Sequence, residues 1–230
     1  MIQNKRDLGG IITKDGLRIK NGLLVRSANL FQAEDDDLRG ISAVIDLRTI
    51  GEQKEAPDKT YGRDFISIPI FEKLTAGITH EKKAEEQLLP DMSSLYRQMM
   101  NDCTETYRAV LMQIMNHDFS SGAILWHCTE GKDRCGMTTA LVLEILGVDK
   151  AVIMDDYLKT NLVNKPKAIM IRERIANSHG NAYADSVYQA YIADENYLHA
   201  AWDAMGENYI SERLGIIKEE IEEFRSKVLA

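Results

Sequence analysis

Cysteine is scarce, with three in 230 residues: Cys103, Cys128 and Cys135. An odd count without a C-x-x-C pair excludes a disulfide framework and fits a reducing compartment, so we expect a cytoplasmic protein. No stretch approaches the roughly 18 apolar residues that span a bilayer. The opening MIQNKRDLGGIITKDG lacks the apolar segment of about 7 or more residues that a signal peptide needs. Neither a leader nor an integral membrane contact is expected. Four prolines and 15 glycines are too few for a fibrous or low-complexity chain. Basic residues are outnumbered as well, 28 against 36 acidic, and residues 181–230 hold four bases and ten acids. That end repels polyanions, so nucleic acid is not an expected partner.

What is present is enough apolar sequence, 44% of the chain, to bury one ordinary core. Residues 8–27 interleave short apolar runs with Asp15-Gly16 and Asn21-Gly22, the signature of tight hairpins, and predict an N-terminal β-ribbon. Residues 42–47 (SAVIDL), 65–70 (FISIPI) and 123–126 read as strands. Between them, apolar residues recur at helical spacing from Asp91 to Met115, predicting one long amphipathic helix with Cys103 in its packed face. Strands alternating with helices imply an α/β fold with a mostly parallel central sheet flanked by helices. Beyond residue 149 only helical patterns remain, including one over residues 185–205 that ends at Gly206 and a break at Gly215. We therefore expect residues 1–230 to form a single domain, with an α/β core over 1–148 and a helical extension over 149–230.

Chemistry concentrates in residues 127–136, HCTEGKDRCG. Cys128 stands where a buried strand ends, Gly131 allows a tight turn, and a helix begins near Arg134. Successive amides in such a turn can face one point, and a helix N-terminus adds unpaired N–H groups and partial positive charge. This cradle suits an oxyanion. The same surroundings favour a thiolate at Cys128. The planar fork of Arg134 can hold two oxygens of a phosphate, and Lys132 is expected at the rim, within reach of a second anionic group.

The string resembles the H-C-x5-R signature of the cysteine-dependent protein tyrosine phosphatase superfamily, in the G-K-D-R form of a bacterial branch of tyrosine and lipid phosphatases. Further segments resemble that branch in order: RDLGG (6–10), VRSANL (25–30), VIDLR (44–48) and DYLKTN (156–161). The resemblance implies a phosphatase-like fold and hydrolysis of a phosphomonoester, phosphotyrosine in a protein or a phosphoinositide, without metal or other cofactor. Cys128 would be the nucleophile, with Thr129, Glu130, Gly131, Lys132, Asp133 and Arg134 around the phosphate. The general acid is open among Asp133, which is favoured by its place beside the phosphate, Glu72 and Asp91.

The family usually carries Ser or Thr after the arginine, to help cysteine leave the phosphoenzyme. Here Cys135 is a weaker donor. That leaves room for a phosphate-binding pseudophosphatase, or for a Cys128–Cys135 disulfide under oxidation. His127, preceding the nucleophile, is read as support for the loop, and Asp46 and Arg48 as a structural pair. The one basic stretch, Lys159, Lys165, Lys167, Arg172 and Arg174, is either an exposed face or a collar for an anionic substrate.

Overall fold

The computed structural model describes residues 1–71 and 91–230. Five strands form one sheet in the order β1-β2-β5-β3-β4, namely β1 (Arg6–Asp7), β2 (Leu24–Ser27), β3 (Ile41–Asp46), β4 (Asp64–Ser67) and β5 (Ala123–His127). Among the described strands, only the β1–β2 pair is antiparallel. The expected mostly parallel sheet is thus what the chain builds. Central β5 is buried at every residue, which explains why its sequence is a continuous apolar run. Side chains alternate across the pleat. Leu24, Ile45, Ile124 and Trp126 join the main core, while Val25, Val44 and Leu125 face a smaller one with Ile2, Leu30 and Leu38.

The predicted ribbon forms and is continuous with the central sheet. Gly16 and Gly22 sit at its turns with φ of 85° and 73°, and Ile12 bridges Arg18. Its last four residues pair antiparallel with β1 on one edge and in parallel with β5 on the other. Hairpin signals mark turns, and they do not say which strand a free edge will choose.

Helices α1 (Ile50–Glu55), α2 (Met92–Asp102) and α3 (Thr104–Met115) precede β5, and α4 (Asp133–Ile145) follows it. The single helix expected from residue 91 to 115 is therefore two, meeting at Cys103. The Met100 carbonyl there accepts from the hydroxyls of Tyr209 at 2.6 Å and Thr104 at 3.2 Å, and a side-chain donor of this kind competes with the helical ladder. The apolar period runs through the joint unchanged, so the break left no trace in spacing.

The remaining helices are α5 (Lys150–Leu158), α6 (Asn161–His179), α7 (Asn181–Tyr191), α8 (Glu195–Met205) and α9 (Lys218–Val228). Residues 185–205 are again two helices where one was expected. Asn161 grips Ala193 through both backbone groups, at 2.7 and 2.8 Å, and Asp194 caps α8. Gly206 ends α8 at φ 64°, as the sequence implied. Tyr157, Leu198 and Trp202 share the core with Trp126 and Leu141, so the helical part packs against the α/β part.

Candidate active site

β5 delivers the chain into the loop at its carboxyl end, where open parallel sheets place their ligand sites. Gly131 has φ 65°, and a Cβ there would lie 2.6 Å from the Ser27 carbonyl oxygen, so only glycine lets the loop press against β2. The N–H groups of Thr129, Glu130, Gly131 and Lys132 have no acceptor among the described residues. Unpaired buried donors are costly. Here four in succession, followed by the N-terminus of α4, form a cradle for an anion. Cys128 is 2% exposed.

Arg134 is held by a residue that the sequence reading missed. Glu52 accepts from Nη1 at 2.6 Å and from Nη2 at 2.7 Å, a two-pronged pair that fixes the guanidinium plane. It also accepts from the Thr129 hydroxyl, which ties α1 to both ends of the loop. Burial alone would push the Glu52 carboxyl up, but its bonds from Arg134 and Thr129 hold it well below the ordinary carboxylate range. The signal was present as Thr49-x-x-Glu52, a capping box. Thr49 Oγ1 accepts from the Glu52 amide at 3.2 Å and Glu52 accepts from the Thr49 amide at 2.9 Å, so the helix start orients the carboxylate.

Lys132 does not stand at the rim. It is 1% exposed, and its ammonium donates to the carbonyls of Ala190 and, at 3.1 Å, Ile192, with Asp133 Oδ1 also at 3.1 Å. It caps the C-terminus of α7, where a cation meets unpaired carbonyls and the negative end of the helix dipole. Asp133 remains partly open at 27% exposure. Tyr96 donates to its Oδ1 at 2.7 Å and lies 2.7 Å from the Tyr157 hydroxyl. Burial keeps both tyrosines protonated far above their usual range, so Tyr96 is a standing donor. Asp133 Oδ2 has no partner among the described residues.

Of the other acid candidates, Asp91 caps α2 through Ser94 at 2.8 Å and lines a cavity of about 730 Å³ with Arg97, Gln189, Tyr197 and His199. Glu72 lies outside the described residues. His127 Nε2 is 2.9 Å from Asp58 Oδ2, and Arg48 pairs with Asp46 at 2.8 Å and Asp58 at 2.9 Å. Asp46, Asp58 and His127 lie close enough together to suggest a metal site. Arg48 already supplies the cation that their carboxylates need. Cys135 is fully buried with its thiol directed at the Trp126 carbonyl, 3.6 Å away, and burial pushes it up to about 11. In the basic stretch, Lys167 pairs with Glu130 of the loop at 2.7 Å and Arg172 with Asp185 at 2.6 Å.

A thiol at the end of a central parallel strand, ringed by orphan amides and a braced guanidinium, defines an oxyanion site of the cysteine-based phosphatase type. The chain belongs to the tyrosine phosphatase family, whose model matches residues 1–230, and it is a phosphatase enzyme. It is 28% identical over 230 residues to a Cupriavidus necator protein named as a tyrosine-protein phosphatase, spanning 94% of this chain and 82% of that one. A tyrosine-protein phosphatase of Nostoc commune is 30% identical over 141 residues, 58% of this chain and 46% of the other. The triple specificity protein phosphatase PtpB of Mycobacterium tuberculosis is 36% identical over 95 residues, 37% of this chain and 34% of that protein. No helix among the described residues is long and apolar enough to cross a membrane.

Proposed function

We propose that the chain hydrolyses phosphotyrosine in proteins through a phosphocysteine intermediate on Cys128. The observation that carries this reading is the set of orphan amides from Thr129 to Lys132 beside that thiol, with Arg134 held in plane by Glu52. The sulfur attacks phosphorus, the bond to the leaving oxygen breaks, and Asp133 supplies that oxygen with a proton. The amides and Arg134 hold the equatorial oxygens as charge redistributes. Water then cleaves the P–S bond, its proton passing to Asp133, and inorganic phosphate leaves. Asp133 suits the task because Tyr96 and Lys132 both engage Oδ1, which leaves Oδ2 to exchange the proton.

A second reading draws on Cys135, whose thiol is spent on a strand carbonyl and offers no hydroxyl to the departing sulfur: slow release of the phosphoenzyme. The test is a Cys128→Ser trap offered phosphotyrosine peptide, phosphoserine peptide and phosphoinositide vesicles side by side, together with wild-type turnover of p-nitrophenyl phosphate. Selective capture of phosphotyrosine with many turnovers supports the first reading. Capture of phosphoinositide that falls on charge reversal at Lys165 and Lys167 redirects it to lipid. Retained phosphate binding without turnover beyond one equivalent establishes the trap instead.

A further inference from the structure

The segments that resemble the family outside the loop, around residues 6, 26, 29 and 156, converge on the outside of the loop itself. A trans peptide unit is planar, with its C=O and the following N–H pointing opposite ways. A group that pulls a loop carbonyl outward therefore aims the next amide inward. The Thr129 carbonyl accepts from the Asn29 amide at 3.2 Å and from Asn29 Nδ2 at 3.0 Å. Asn4 Nδ2 donates to the carbonyls of Glu130 at 3.1 Å and Gly131 at 2.9 Å. Arg26 Nη2 donates to Gly131 as well. The amides thus aimed are those of Glu130, Gly131 and Lys132, three of the four orphan donors.

The donors are themselves held. Asn4 is buried in a left-handed conformation at φ 52°, which costs energy even for asparagine and persists where the surroundings dictate it. Arg6 donates to Asn4 Oδ1, which fixes the amide so that its nitrogen faces the loop. Asp156 of α5 takes Arg6 at 2.7 Å and Arg26 at 3.0 Å. Arg26 is fully buried beneath the first turn of α4, where a Cβ on Gly136 would lie 3.9 Å from its Nη2.

We propose that Asn4 and Arg26, locked by Arg6 and Asp156, together with Asn29, are positioning residues that aim the loop amides at the bound oxyanion. The inference rests on the proposed phosphatase chemistry but is separable from it. Asn4→Asp is the telling variant: it keeps the acceptor for Arg6 and tolerates the same backbone, yet offers an oxygen to two carbonyl oxygens. Tungstate binding by calorimetry should weaken about tenfold or more, and kcat with p-nitrophenyl phosphate should fall in parallel. Asn29→Ala, which leaves the backbone donor in place, should lose roughly threefold. Arg26→Lys, keeping the charge without the fork, should fall between them. A merely structural role would lower the melting temperature and leave tungstate affinity at 20 °C below it unchanged. Folded Asn4→Asp and Asn29→Ala proteins with wild-type affinity and kcat overturn the proposal. Should Asn4→Asp fail to fold, Asn29→Ala and Arg26→Lys decide alone. Wild-type protein that binds tungstate but releases not even one equivalent of p-nitrophenol sinks the phosphocysteine reading and leaves the aiming test intact.

Discussion

Two cations two residues apart in one loop face different regions of the molecule. Arg134 looks toward the α/β side, where the carboxylate of α1 holds its fork in the plane that a phosphate would share. Lys132 looks toward the helical side and is spent on the carbonyl end of α7. Both are basic residues of the signature string, and sequence alone assigns both to the substrate. What separates them is the surface waiting at each position. On one side a carboxylate fixes the guanidinium beside the loop amides; on the other, helix-end carbonyls absorb the ammonium.

Substitutions can break this contrast. The largest effect belongs to the α/β side: Cys128→Ser should lower kcat by roughly 10⁴-fold or more, and Arg134→Ala by about 10²- to 10³-fold, both measured with p-nitrophenyl phosphate. Glu52→Ala leaves Arg134 buried without its partner and should cost about 3 kcal/mol in urea unfolding, with reduced tungstate affinity as well. Lys132→Met should cost about 1–3 kcal/mol by unpinning the end of α7, while KM for a small phosphate ester changes less than about threefold. A large rise in KM at unchanged stability would return Lys132 to the substrate and erase the contrast.

The smallest effect is in pH. Against their burial, Glu52 is held low by Arg134, Asp156 by Arg26 and Arg6, and Asp58 by its hydrogen bond from His127 and by Arg48. Groups depressed in the folded state contribute stability that is full above the ordinary carboxylate range and is lost as pH falls below about 4. Cys135 is raised by burial, so its contribution has the opposite sign, present at neutral pH and lost as pH rises beyond roughly 8.5. Stability should be flat between these limits. Cys135→Ala should reduce the alkaline fall, to which buried Cys103, Tyr96 and Tyr157 also contribute, and leave the acid one, as read by chemical denaturation across pH.

The strand-loop-helix unit was legible because its parts are local: an apolar strand, a glycine that must take positive φ, and a helix start within ten residues. Glu52 was hidden for the opposite reason, lying 82 positions from Arg134, although its capping box was readable. The fate of Lys132 depended on where α7 ends, and the apolar spacing predicts one helix over residues 185–205 because it resumes after the short polar run Asp194-Glu195-Asn196 that caps α8. In the same way Asn4 carried no pattern at all. Its role comes from a backbone twist and two carbonyls more than a hundred residues away, a relation that periodicity cannot encode.

The central claim is that Cys128 carries the phosphoryl group, and rapid acid quench during turnover of p-nitrophenyl phosphate tests it most directly. Peptide mass analysis should find one added phosphoryl group on Cys128, absent in Cys128→Ser. Steady turnover with no adduct on Cys128, or turnover that survives Cys128→Ser, would contradict the account.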